Sequence, residues 1–245
     1  MQAIILAAGF GTRLKPYTDT LPKALVRCNG KPMIDHAIEY LMKSGVDHII
    51  VNVHHFGELI IDHLQTSKYD VGLSISDERV QLKDTGGALV AALPLMKKEK
   101  KVLVFNTDVI TNMDISALYN THAHNENSAT LIVQNRESSR KLAFNRDGQL
   151  TGWINYKTNE SIGTVPSSRD DLFAFSGIHL IDLDLIRHFE SIYGDHPFPM
   201  IPAYLNSLKE YRIGSFLASE NTMWLETGDP ARLLEAEQFL KQENK

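Results

Sequence analysis

Ala3-Ile4-Ile5-Leu6-Ala7-Ala8-Gly9-Phe10-Gly11-Thr12-Arg13-Leu14-Lys15-Pro16, followed by Leu21-Pro22-Lys23-Ala24-Leu25, is an apolar run emptying into a basic loop that carries two glycines. A continuous apolar run suits a central parallel strand covered on both faces, and glycines at its end let backbone N–H groups approach a polyanion that a Cβ would hold off. Arg13 and Lys23 add fixed positive charge, so the stretch predicts a buried strand feeding a phosphate cradle. Single positions exclude the two commoner glycine loops. A dinucleotide fingerprint needs Gly or Ala five residues after the first glycine, where this chain has Leu14. A Walker A loop needs four residues and then Gly-Lys-Ser/Thr, and no such string follows this strand.

Outward from that loop the chain alternates. Apolar residues at 33, 34, 37, 38, 41 and 42 repeat with a helical period, with Pro32 early and Gly45 at the stop. Residues 48–53 read as a strand, 58–64 as a helix and 71–76 as a further strand. The pair His54-His55, with no carboxylate at ligand spacing, reads as a polar loop. A polar loop over 78–84 leads to Thr85-Gly86-Gly87-Ala88, where Thr85 suits an N-cap and a helix runs to about Pro94. A glycine in a first turn costs roughly 1 kcal/mol relative to alanine, so close approach of a ligand is the expected reason for the pair. Residues 101–105 form another buried strand that runs straight into Asn106-Thr107-Asp108. In an open parallel sheet the strand carboxyl ends border the ligand crevice, which puts Asp108 where a hard cation needs an oxygen ligand. Asp114 reads instead as the N-cap of the next helix.

The second half changes character. Residues 129–133 read as a strand, and 141–145 and 149–155 as a hairpin turning at Asp147-Gly148, so the sheet is expected to become mixed. Residues 160–171 are polar and are expected to form a mobile loop, while 172–181 form another buried strand. Helices are expected near 184–191 and 200–208, with a bend at His196-Pro197-Phe198-Pro199 between them. Strands follow near 211–217 and 222–225, then a closing helix with Asp229 as N-cap and Pro230 at N1. No repeat or low-complexity tract appears. The prediction is one α/β domain over 1–245, with a Rossmann-like, mixed and mostly parallel central sheet flanked by helices.

At 245 residues and 43% hydrophobic content the chain is long enough to bury one such core. A formal charge of -5 argues against a broad nucleic-acid or anionic-membrane footprint, while a local basic pocket stays compatible with it. Cys28 is the single cysteine, which excludes an intrachain disulfide and a multi-cysteine metal site. The first strand lacks the basic flank and cleavage site of a signal, and no apolar run nears membrane-spanning length. A cytoplasmic monomer or dimer acting on small molecules is expected.

Leu6 to Thr18 with Pro22-Lys23 resembles the N-terminal signature of the sugar-phosphate nucleotidyltransferases: a strand, then L-A-A/G-G-x-G-T-R-L-x-P-x-T, then P-K. The likeness continues at Thr85-Gly86-Gly87-Ala88, Asp108, Phe175-Ser176-Gly177 and Trp224 to Pro230, so it spans almost the whole chain. It is nearest to the short subgroup of N-acetylmuramate-1-phosphate uridylyltransferases and heptose-1-phosphate guanylyltransferases. The resemblance implies a nucleotide-diphospho-sugar transferase fold, nucleotide-binding to about residue 125 and sugar-phosphate-binding from about 126. It also implies the reaction, in which a sugar 1-phosphate attacks the α-phosphorus of an NTP and releases pyrophosphate with Mg²⁺ as cofactor. The nucleophile is already an anion at pH 7, so the site needs charge and positioning rather than a general base.

By the same likeness Arg13 grips the β,γ-phosphates and Lys23 holds the α-phosphate and the sugar phosphate. Leu6, Ala7, Ala8, Gly9, Gly11, Thr12, Thr85, Gly86 and Asn106 complete the nucleotide site, with Gly86 beside the base. Asn155 or Lys157 approaches the sugar phosphate, and Gly177 is small to admit a hexose ring. Asp108 and Glu226 share the Mg²⁺, which makes Arg13, Lys23 and Asp108 the catalytic set. Two positions depart from the pattern: Glu226 stands where an aspartate is usual, and Asn155-Tyr156-Lys157 replaces a Glu-Lys signature. The 78–87 loop resembles that of the uridylyltransferases and implies UTP. The alternatives are GTP or CTP with mannose- or heptose-1-phosphate, and a nucleotide-sugar-binding regulatory subunit whose catalysis has decayed.

Overall fold

The computed structural model describes residues 1–166 and 171–243. At its centre lies β1 (Gln2–Leu6), where Ala3, Ile4 and Ile5 are fully buried because helices cover both faces of the sheet. The chain then makes short 3-10 turns and a small hairpin of β2 (Arg27–Cys28) and β3 (Lys31–Pro32) before α1 (Met33–Lys43), which buries Ile34, Ala37, Ile38 and Leu41. Next come β4 (His48–Val53), α2 (Gly57–Thr66), β5 (Gly72–Asp77), α3 (Asp84–Ala92), β6 (Lys101–Asn106), β7 (Val109–Thr111) and α4 (Ile115–His124). The second half adds β8 (Ala129–Gln134), β9 (Arg140–Phe144), β10 (Leu150–Asn155), β11 (Glu160–Gly163) and the long β12 (Leu172–Asp182). It ends with α5 (Leu183–Tyr193), α6 (Met200–Asn206), β13 (Ile213–Leu217), β14 (Trp224–Glu226) and α7 (Pro230–Glu243).

β1 pairs in parallel with β4 and β6, and β4 with β5, so four carboxyl ends open on one edge of the sheet. The antiparallel part joins through β12, which pairs antiparallel with β6, β8 and, near its start, β9. A register shift between Phe175 and His179 bends β12 there, and one strand thereby serves both the central sheet and the meander of β9, β10 and β11. This is the mixed, mostly parallel sheet flanked by helices that the sequence predicts.

Several local expectations change. Residues 160–163 are an edge strand antiparallel to β10 rather than loop, and residues 167–170 of that expected loop lie outside the described residues. α3 starts at Asp84, which takes φ +59°, so Thr85 is inside the helix and not its cap. The Thr85 hydroxyl instead accepts the Met200 N–H at 3.0 Å and ties α3 to α6. Asp114 does cap α4, accepting from Ser116 N at 2.8 Å and Ala117 N at 3.2 Å. Asp229 likewise caps α7 through Arg232 N at 3.0 Å.

Apolar clusters fill both faces of the sheet, and a third one matters most for the site. Leu14, Val26, Cys28, Met33 and Ile110 pack with Leu233 and Ala236 of α7, so the basic loop and the C-terminal helix share one small core. Leu14, the residue that excludes a dinucleotide fingerprint, is fully buried there, an arrangement worth roughly 1.5–3 kcal/mol. No described helix is long and apolar enough to cross a membrane.

Candidate active site

Two cavities open at the strand carboxyl ends and meet at Thr85, Asn106 and Asp108. The smaller, about 540 Å³, is walled by Leu6, Ala7, Ala8 and Gly9 beyond β1, by Asn52 of β4, and by Lys23. A Cβ on Gly9 would meet nothing within 4 Å, so no packing inside the protein demands a glycine there. The larger, about 810 Å³, carries Arg13, Asn155, Lys157, Gly177 and Glu226. Gly11 and Thr12 line neither cavity. Gly11 holds the loop itself, at φ +64°, where a Cβ would stand 2.9 Å from the Thr18 methyl and 3.0 Å from Lys23 Cβ.

Asp108 and Glu226 are brought together by backbone pairing. Glu226 is opposite Val109 in the ribbon of β14 and β7, and Thr227 N donates to the Asp108 carbonyl at 2.9 Å. Lys23 Nζ donates to Asp108 Oδ2 in a short ion pair, with both side chains largely buried. Glu226 Oε2 pairs closely with Arg232, and Oε1 lies 3.5 Å from Arg13 Nη2. A methyl group added to Gly228 would stand 2.9 Å from Glu226 Oε1, 3.0 Å from Arg13 Nη2 and 3.3 Å from Asp108 Oδ2. Three charged groups from distant segments therefore converge on one small volume. Among the described residues no set of three or more His, Cys, Asp or Glu side chains gathers for a metal. Two hard carboxylates suit an ion such as Mg²⁺, which keeps several waters and takes further oxygens from substrate phosphates. In this structure Lys23, Arg13 and Arg232 supply the positive charge beside those carboxylates.

Two glycine readings need correction. At Gly86 the close neighbour is protein rather than ligand: a Cβ would lie 2.2 Å from the Phe198 ring, and the Gly86 N–H already donates to the Phe198 carbonyl at 2.9 Å. The bend at 196–199 thus explains the glycine, and Gly86 lines neither cavity. Gly177 does line the larger cavity, yet its own reason is internal. It sits at φ +79° in the bend of β12, and a Cβ would fall 2.7 Å from Asn106 Nδ2. Asn155 Oδ1 accepts from Lys157 N at 3.1 Å and shapes the turn that presents Lys157.

Sequence reasoning did not assign Asn52, Glu78, Arg136, Trp224 or Arg232 to the site. Asn52 Oδ1 accepts the Ala7 N–H at 2.6 Å and its Nδ2 donates to Glu78 Oε1 at 2.9 Å, while Glu78 Oε2 accepts from Lys83 N at 2.9 Å. That chain locks the end of β1, and burial pushes the Glu78 carboxyl above the usual carboxylate range. His54, in the expected polar loop after β4, joins it through its ring and the Glu78 carbonyl, 2.7 Å apart. Arg136 and Asn52 were findable by the rule that located Asp108, since each stands at the end of a buried strand.

The nucleotidyl transferase family model matches residues 2–144. Over 96% of its length the chain is also 31% identical to the N-acetylmuramate alpha-1-phosphate uridylyltransferase of Caulobacter vibrioides, of which it covers 95%. The chain belongs to the nucleotidyl transferase family. A mannose-1-phosphate guanyltransferase of Yarrowia lipolytica is 29% identical over 96% of this chain and 62% of its own length. This nucleotidyltransferase also shares its fold with HddC from Yersinia pseudotuberculosis complexed with GMP-PN, at a TM-score of 0.76 and 21% identity over 98% of this chain and 99% of that one. A putative glucose-1-phosphate thymidylyltransferase from Bacillus anthracis gives a TM-score of 0.77 at 20% identity, over 98% and 95% of the two chains. The likenesses make this nucleotidyltransferase an enzyme of the sugar-1-phosphate class with the nucleotide-diphospho-sugar transferase fold.

Proposed function

We propose that the smaller cavity takes the nucleotide, the larger takes the sugar 1-phosphate, and the two meet in line at Asp108. The observation that carries this reading is the convergence of Arg13, Asp108 and Glu226 around Gly228, at the seam of the two cavities. A sugar-phosphate oxygen forms a bond to the α-phosphorus as the bond from that phosphorus to the bridging oxygen of pyrophosphate breaks. The electron pair leaves with pyrophosphate, and no proton needs to move. Lys23, held on Asp108, and Arg13, held on Glu226, place positive charge where two polyanions must approach, and the burial of Lys23 strengthens its effect. Asp108 and Glu226 would hold Mg²⁺, which supplies further positive charge to the phosphoryl oxygens. Arg13 lines the sugar-phosphate side of the seam, so we assign it to the phosphates that meet there.

For the substrate pair we favour UTP with N-acetylmuramate 1-phosphate, supported by the 78–87 loop and by the Caulobacter relative's coverage of both chains. A guanylyl reading with mannose 1-phosphate is favoured by the Yarrowia relative. The substrates on either reading are water-soluble, and we place the reaction in the cytoplasm. Pyrophosphate release from a matrix of four NTPs against N-acetylmuramate, mannose and heptose 1-phosphates decides between them. A clear GTP preference replaces the uridylyl assignment. Release from no combination favours the binding-subunit reading, all the more if Glu226→Asp restores turnover.

A further inference from the structure

Arg136 is a cation of the larger cavity to which the reaction above gives no task. It stands in the loop after β8, its guanidinium carbon 4.0 Å from the centre of the Trp224 ring. Nη2 donates to the Phe175 carbonyl at 3.0 Å and Nη1 to the Glu137 carbonyl at 3.4 Å, while the buried Nε has no partner. Arg13 and Arg232 face Glu226, and Lys23 faces Asp108; among the described residues no carboxylate faces Arg136. Burial, with Arg232 nearby, pushes its guanidinium down to about 10. A cation partly removed from water without a counter-charge is an unfavourable arrangement that an anionic ligand relieves.

Its position says which part of the ligand it meets. Trp224 and Glu226 are two residues apart on β14, so they project to the same face about 7 Å from each other. With the reacting phosphate held at the Glu226 end, that spacing is on the order of the reach across a pyranose ring to a substituent on its far side. We propose that Arg136 is a specificity-determining residue that receives a carboxylate carried by the sugar, so that the preferred acceptor is an acidic sugar 1-phosphate. This assignment rests on the transfer reaction proposed above. The indole behind Arg136 covers one face of the guanidinium, and the N–H groups that the Phe175 and Glu137 carbonyls do not take are left for a planar, bidentate partner, which a carboxylate is and a hydroxyl is not. Ser138 and Ser139 line the same wall and supply neutral donors beside it.

The test compares initial rates of pyrophosphate release for N-acetylmuramate 1-phosphate and N-acetylglucosamine 1-phosphate, the same hexosamine without the acid. The unmutated protein, Arg136→Met and Arg136→Lys are each assayed. The unmutated protein should prefer the acid in kcat/KM, and Arg136→Met should reduce that preference by about 30-fold, mostly through KM for the acid. Arg136→Lys should keep part of it. An unchanged preference in folded Arg136→Met overturns the assignment. If the Met variant does not fold, the unmutated protein decides: equal or better use of the neutral sugar overturns the assignment and leaves the transfer reaction standing. Turnover of neither sugar with any NTP removes the transfer reading and the Arg136 assignment together.

Discussion

The two cavities that meet at Asp108 are built in different ways. The smaller takes much of its wall from strand ends, Leu6 to Gly9 at the end of β1, Asn52 on β4 and Asn106 to Asp108 at the end of β6, and is closed by Lys23, Leu82, Asp84, Thr85 and Pro197. Adjacent strands fix those positions, and a buried chain from Ala7 through Asn52 and Glu78 to the Lys83 N–H ties the ends of β1 and β4 to the loop after β5. The larger takes Arg13, Arg136, Glu226 and Arg232 from loops, a short ribbon and a helix turn, and its partners are mostly ions. On the reading proposed above, the contrast separates two tasks. A preformed, hydrogen-bonded wall holds a ligand's shape, whereas charges gathered from several segments stabilise a change in charge distribution during reaction.

Substitutions can break that contrast, beginning at the residue both cavities share. Asp108→Asn keeps the shape, removes the negative charge and leaves Lys23 without its partner. It should lower pyrophosphate release by roughly three orders of magnitude, with little recovered by added Mg²⁺. A fully active Asn variant would reduce Asp108 to a turn former. Arg13→Ala, on the charged side, should lower kcat by about two orders of magnitude while the thermal midpoint moves little, because an exposed guanidinium contributes little to folding. Unchanged kcat would remove Arg13 from the chemistry.

Glu226 tests whether the longer side chain serves where an aspartate is usual. Glu226→Ala should lower turnover by about tenfold or more and raise the Mg²⁺ requirement, while Glu226→Asp should retain part of the rate. If neither changes turnover, Asp108 acts without a second carboxylate. On the hydrogen-bonded side, Asn52→Ala strands the Ala7 N–H and removes a partner from Glu78. It should cost about 1–3 kcal/mol in denaturant unfolding and raise KM for the nucleotide more than it lowers kcat. A purely catalytic defect there would erase the contrast between the walls.

The smallest effect is a pH slope. Burial raises the folded Glu78 pKa above the unfolded one, so the folded state binds more protons in between. Stability should therefore fall as pH rises from the ordinary glutamate range through the raised value. Glu78→Gln should flatten that slope in unfolding curves taken across the acidic range, and an unaltered slope would show that Glu78 is not its source.

Reading the chain in one dimension placed the strand ends of the smaller cavity from the residues themselves, whereas the roles of Arg13 and Glu226 in the larger came by resemblance, and Asn52, Glu78, Arg136 and Arg232 were not placed at all. Leu6 to Gly9, Asn106 and Asp108 announce themselves because each follows an apolar run whose end must border the crevice. Gly86 misled for a related reason. Local cost showed that something must come close, but Phe198 lies more than a hundred positions away and no local rule names it. Residues 160–163 misled because a polar, exposed edge strand has the composition of a loop, and only its pairing with β10 distinguishes the two.

By itself the sequence determined the parallel core, the basic glycine loop and the caps at Asp114 and Asp229, since each depends on residues a few positions apart. The tertiary structure alone decided that Glu226 meets Arg13 and Asp108, that Arg136 lies on Trp224, and that Phe198 fills the space beside Gly86. Those contacts follow from strand register and from the packing of α7 under the loop through Leu14 and Leu233. Register and packing are set by the whole core at once, because moving a strand by one residue would turn every one of its side chains to the other face.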